Sequence, residues 1–207
     1  MISRKIAILL GVVAAGPLHG QGLRVEPGIS LGASFPIGDF QRNGFGEGFR
    51  VGWWRTALVN FQTPHGRFGF RAEGSFGANG SNAQLTSELS MTNRGTSATT
   101  KLLGGTADIT YNLALPASVI VDYLTGGVGV YGIKLCLNGA FTGCRSATKV
   151  GWNVGGGLLH RVGRRSAWFV EVRYFNLGAA DLYGLSIKPR SLSVTAGVQL
   201  LKSIGTL

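Results

Sequence analysis

Charge is scarce in this chain. Only 14% of its 207 residues are Asp, Glu, Lys or Arg, where a soluble domain carries about a quarter. Acids are the scarcer sign, nine against twenty basic residues, for a net charge of +11. There are two cysteines and three histidines. No stretch, the apolar run Ile6–Ala15 included, reaches the roughly 18 consecutive apolar residues that a membrane-spanning helix needs. These shortages exclude a helical membrane protein. They also leave Cys136 and Cys144 without a nearby histidine or further cysteine, so no metal site is expected. The basic residues are scattered, with no basic helix or aromatic–basic motif, so no nucleic-acid partner is expected.

Glycine (34 residues) and apolar residues (44%) are abundant, and they are arranged with a period of two. The clearest instance is Lys149–Phe175. There Trp168, Val170, Val172 and Tyr174 share one parity while Phe169, Glu171, Arg173 and Phe175 share the other. Trp152, Val154 and Leu158 likewise alternate with Asn153 and glycines, across the turn Gly163-Arg164-Arg165. Alternation is a strand signal, because successive side chains of a strand point to opposite faces. The same pattern predicts strands over Leu23–Phe35, Phe49–Phe61, Arg67–Ala78, Lys101–Leu113, Val119–Ile133 and Ser191–Leu201. Within Phe49–Phe61 the apolar parity holds Phe49, Val51, Trp53, Ala57, Val59 and Phe61, and Arg55 interrupts it. That arginine snorkels, marks a bulge, or signals a different register.

Eight strands leave seven connections. The second, fourth and sixth are short turns. The polar stretch Asn79–Thr100, the segment around the cysteines and Asn176–Arg190 are long, and the first connection is intermediate. Long and short connections then emerge at opposite ends, as in an up-and-down transmembrane β-barrel with short periplasmic turns and longer extracellular loops. A soluble β-sandwich, the competing all-β architecture, has no reason to sort its loops this way. Arg4 and Lys5 before Ile6–Ala15, followed by a Gly/Pro break, read as a secretory signal peptide over residues 1–21. Residues 22–207 then form one barrel domain of an exported protein, and an exported Cys136/Cys144 pair is expected to be a disulfide closing a short loop.

The strings ISLGASFPIGDF, TADITYNL, YLTGGVGVY and FVEVRYF resemble the eight-stranded outer-membrane β-barrel family, the OmpA/OmpX-like group with its opacity-protein relatives. The resemblance covers Gly22–Leu201. It implies the outer membrane of a Gram-negative-type bacterium and a monomer in contact with outer-membrane lipid and lipopolysaccharide. The chain departs from the family's usual aromatic C-terminus, ending in Leu207.

The inward parity carries Glu26, Arg71, Glu73, Asp108, Glu171 and Arg173. An eight-stranded barrel is only wide enough for side chains to fill it, and charges buried there must pair. These six are therefore expected to form a polar plug, with an ion path as the alternative. GVGVYG and GWNVGGG open no helix and read as strand glycines, so no nucleotide cofactor, or any other, is expected. Lipid A-modifying barrels use histidine constellations near the outer leaflet. His65 and His160 fall at the opposite end, and no catalysis is expected. At the loop end Arg94, Lys101, Lys134, Arg145, Lys149, Lys188 and Arg190 form a basic rim facing lipopolysaccharide phosphates. The expected role is structural and envelope-stabilising. The alternatives are a narrow pore for ions or small solutes, and an adhesin binding a surface ligand through its loops, Asn79–Thr100 among them.

Overall fold

The computed structural model describes residues 24–43, 46–62, 67–93, 97–114, 118–139, 142–163, 165–182 and 185–203. The expected signal peptide, His65, Arg94, Arg164 and Leu207 lie outside them. Eight long strands follow the chain: β1 (Arg24–Ile37), β2 (Gly52–Gln62), β3 (Phe68–Gly80), β4 (Ser97–Asn112), β5 (Ile120–Asn138), β6 (Gly143–Val162), β7 (Ser166–Leu177) and β8 (Arg190–Leu200). Each pairs antiparallel with its chain neighbours, and β8 pairs back onto β1, so the sheet closes into a barrel without a free edge. Closure also fixes the stagger. A walk through hydrogen-bonded partners leaves β1 at Glu26 and passes through Asn60, Arg71, Asp108, Gly127, Asn153, Phe175 and Ser191. It returns to β1 at Pro36, ten residues further along. Such a stagger inclines the strands by roughly 40° to the barrel axis.

Alternation sorts the side chains as the period of two demands. The outer wall is apolar: Leu31 is 65% and Val150 69% exposed, with Ile109, Val128 and Val198 beside them. Aromatic pairs ring both ends of this wall. Phe68 and Tyr111 (4.8 Å) and His160 stacked on Trp168 (5.2 Å) lie toward the short turns, while Trp53 and Phe76 (5.0 Å) and Trp152 and Tyr174 (5.4 Å) lie toward the loops. An apolar band between aromatic girdles is the outer surface of a membrane barrel. Arg55 keeps its outward parity and its ladder partners Leu31 and Phe76, so neither a bulge nor a shifted register is present. Its guanidinium lies 4.4 Å from the Trp53 ring centre and 5.5 Å from that of Phe76, a cation–π seat that leads the charge toward the loop-end girdle.

Three expectations need correction. Asn79–Thr100 is not one polar loop: it holds helix α1 (Ala83–Asn93), with Asn82 Oδ1 accepting from the Leu85 amide 2.8 Å away, and β4 already begins at Ser97. The segment around the cysteines is not a long loop either. Both cysteines belong to strands, opposite each other in the β5–β6 ladder, and the disulfide joins neighbouring strands just below their short connection. Phe49 does not face out. It precedes β2, bridges to Ser81 and packs against Phe40 at 5.0 Å inside the loop end. C136S/C144S is expected to destabilise the barrel by about 2–3 kcal/mol, because the bridge, spanning eight positions, constrains the unfolded chain. Limited proteolysis between β5 and β6 should also accelerate; an unchanged unfolding midpoint would show that the bridge constrains nothing in the unfolded state.

Candidate functional site

The inward positions of β3, β4 and β7 put five charged side chains at the same depth. Arg173 reaches three carboxylates: its Nη1 donates to Glu73 Oε1 at 2.8 Å, its Nη2 to Asp108 Oδ2 at 2.7 Å, and its Nε lies 3.2 Å from Glu171 Oε1. Arg71 Nη1 donates to Glu171 Oε2 at 2.5 Å and stands 3.9 Å from Glu73 Oε2. Neutral donors complete the shell: Tyr123 Oη to Glu171 (2.7 Å), Thr106 Oγ1 to Asp108 (2.9 Å) and Asn153 Nδ2 to Asp108 (2.8 Å). All of these groups are buried. Glu73 Oε2 is buried without a hydrogen-bond donor among the described residues. Three carboxylates thus face two guanidiniums.

Glu26 belongs to the same chain of contacts but touches neither arginine. Gln199 Nε2 donates to Glu26 Oε2 at 2.6 Å, Asn60 Nδ2 donates to Gln199 Oε1 at 3.1 Å, and Arg71 Nε donates to Asn60 Oδ1 at 2.8 Å. The two amides, absent from the expected network, are what join the sixth charge to the other five. Their inward parity on β2 and β8 was the available signal. Below Arg71, toward the short turns, a cavity of about 20 Å³ lies among Glu26, Asn60, Thr110 and Tyr123. That is room for about one water, and the buried Thr110 hydroxyl lining it lacks a protein partner.

Toward the loops the interior turns apolar, which sequence reasoning missed. Trp54 and Phe175 meet at 5.1 Å, and Tyr131 stands edge-on to Phe175 at 6.2 Å. Above them Leu102, Ile133 and Leu135 pack with Phe40, Phe49 and Leu85 of α1. The doublets Trp53-Trp54 and Leu102-Leu103, which put an apolar residue on both faces of one strand, were the sign of it. Glycines make the fit possible. A Cβ at Gly77 would lie 2.3 Å from Trp54 Cε3, and one at Gly104 2.4 Å from Tyr131 Cδ1. Each is the cross-strand partner of the ring it accommodates.

The expected basic rim divides. Lys101 and Lys134 are direct cross-strand partners on the outer wall and are exposed. Arg145 and Lys149 take the opposite parity of β6, while Arg190 begins β8 and Lys188 precedes it. Among the described residues no group of His, Cys, Asp and Glu is arranged to hold a metal.

No protein-family model matches the chain, and no curated protein matches it by sequence. Solved structures do match in fold. Neisserial surface protein A aligns with a TM-score of 0.57 and 15% identity over 86% of this chain and 96% of its own. A major outer membrane protein from Thermus thermophilus aligns with a TM-score of 0.58 and 10% identity over 86% of this chain and 99% of its own. The chain has the fold of the eight-stranded outer-membrane β-barrels.

Proposed function

We propose that this chain is a non-enzymatic barrel of a Gram-negative-type outer membrane, with its short turns in the periplasm and its loops outside, whose work is structural. The observation that carries this reading is the filled interior: an amide-linked Glu26, then the Arg71/Arg173 cluster, then the Trp54–Phe175–Tyr131 layer, then the loop-end apolar cap. A barrel packed level by level leaves neither a channel nor a substrate pocket in its lumen. Glu73, Asp108 and Glu171 are held by guanidiniums and Glu26 by the Gln199 amide, and none has a reacting group to serve. The six charges act as an internal brace that fixes the spacing of strands on opposite sides of the barrel.

Planar-bilayer recording tests this directly. The purified full chain is expected to insert without unitary conductance steps. Steps whose size changes on Arg71→Gln or Glu171→Gln would establish the pore instead. Electrophoresis of the membrane-extracted protein before and after boiling tests the membrane barrel itself, and an unshifted band would count against it.

A further inference from the structure

The outer wall at the short-turn end carries an acid that the structural role does not use. Asp122 stands between the inward residues Val121 and Tyr123, so its side chain faces out, flanked by Ile120 and Leu124. Ile120 pairs with His160, which stacks on Trp168, and Leu124 pairs with Tyr111, which packs on Phe68. Asp122 therefore sits between the two aromatic pairs that mark this end of the apolar band. Its own ladder partner is the exposed Leu158. The other acids with described side chains, Glu26, Glu73, Asp108 and Glu171, are buried in the lumen. Asp122 makes no ion pair among the described residues, where every salt bridge lies inside the barrel. A carboxylate among aliphatic side chains on a lipid-facing wall is costly, and such a charge calls for a partner.

Arg67 supplies the complementary charge two strands away. Its carbonyl accepts from the Asn112 amide at 2.8 Å, and the Leu113 amide donates to the Asp122 carbonyl at 2.8 Å. These two bonds set Arg67, the end of β4 and Asp122 side by side across three neighbouring strands. Arg67 is exposed, and its Nη1 lies 3.5 Å from the hydroxyl of the outward Tyr111. The guanidinium thus stands on the outer side of the wall, at the same end as the carboxylate. With strands about 4.8 Å apart, β3 and β5 hold the two charges on either side of Tyr111, and they do not pair with each other.

We propose that Asp122 and Arg67 hold the headgroup of a zwitterionic phospholipid with a primary ammonium, a phosphatidylethanolamine, in the periplasmic leaflet. The ammonium donates to the Asp122 carboxylate, the phosphate rests on the Arg67 guanidinium, and Tyr111 stands between them. The acyl chains run over Leu124 and Leu158 into the apolar band. The separated acid and base match a zwitterion, and their height beside the aromatic pairs matches a headgroup with its chains in the membrane. A carboxylate seeking N–H donors selects against a trimethylated ammonium, and it repels an anionic headgroup that has no ammonium. This site rests on the proposal that the barrel stands in an outer membrane with its short turns in the periplasm.

The test is native mass spectrometry of the full chain released from micelles carrying equal amounts of phosphatidylethanolamine, phosphatidylcholine and phosphatidylglycerol. The parent should retain phosphatidylethanolamine in preference to the other two. D122N should lower that preference roughly fivefold, the size of about 1 kcal/mol for one charge at a membrane surface. D122E, which keeps the carboxylate, should retain the preference, and R67Q should hold less of all three lipids. Glycerophosphoethanolamine, the soluble headgroup, should not displace the lipid. Equal retention of the three lipids by the parent, an undiminished preference in D122N, or displacement by the soluble headgroup would each overturn the site. The boiling shift of every variant is read in parallel. A parent that shifts but retains the lipids equally overturns the site alone, whereas a parent that never shifts overturns the membrane barrel on which it rests.

Discussion

Arg173→Met is expected to destabilise the folded barrel by about 3–5 kcal/mol, the cost of removing one partner from a buried ionic cluster. The magnitude follows from what is left behind. Arg173 is within 3.2 Å of Glu73, Asp108 and Glu171. Without it only Arg71 remains, already engaged with Glu171. Asp108 would stay buried with only the Thr106 hydroxyl and the Asn153 amide, and Glu73 with only Arg71 at 3.9 Å. Arg173→Lys should cost less but not recover the parent, because one ammonium cannot bridge three carboxylates held on β3, β4 and β7 as a planar fork does. Denaturant unfolding in detergent micelles, scored by the fraction retaining unboiled mobility, reads both variants. An unchanged midpoint for Arg173→Met would mean that water reaches the cluster and the interior is not sealed.

Trp54→Ala should cost about 3–5 kcal/mol, as large-to-small changes in packed cores do. Trp54 is 1% exposed and packs on Phe175 beneath the loop-end cap. The partner substitution Gly77→Ala should cost about 1–3 kcal/mol by overpacking, because its new methyl would sit 2.3 Å from Trp54 Cε3. In the Trp54→Ala background that methyl enters the space the ring vacates. The double variant should therefore be more stable than the sum of the two losses implies, by about 1 kcal/mol or more. Strict additivity in the unfolding midpoints would show that Gly77 is kept for some reason other than the ring.

The period of two was enough to read eight strands, their facing and the inward set of charges, because a one-residue slip would carry every charge of β3 and β7 to the lipid face. Arg55 was readable as an exception but not as a solution, since its answer depends on Trp53 and on Phe76 of the neighbouring strand. The loop end was read poorly. Strands that rise above the membrane no longer need an apolar outer face, so residues 97–100 and 143–148 carry no alternation to detect. Helix α1 has too few apolar residues to announce itself, and among its described residues Leu85 and Leu89 meet the core. The pairing of particular charges was beyond reach for a different reason. Parity places residues on a face, while the ten-residue stagger decides which of them share a level, and the stagger is set only when β8 meets β1.

That stagger has a consequence for how the barrel comes into being. Two of the ion pairs, Arg71 with Glu171 and Arg173 with Glu73, each join residues one hundred positions apart. Glu26 finds Gln199 across 173 positions. The short ion pairs cross the barrel: β3 and β4 hold Arg71 with two acids and β7 holds Arg173 with one, yet Arg71 finds its closest carboxylate on β7 and Arg173 its closest on β3 and β4. The pairing of these charges is a property of the completed ring, and a partly inserted sheet exposes unpaired charge to hydrocarbon. Membrane entry and closure of the first strand on the last are coupled by charge, so half-formed barrels are disfavoured as resting states.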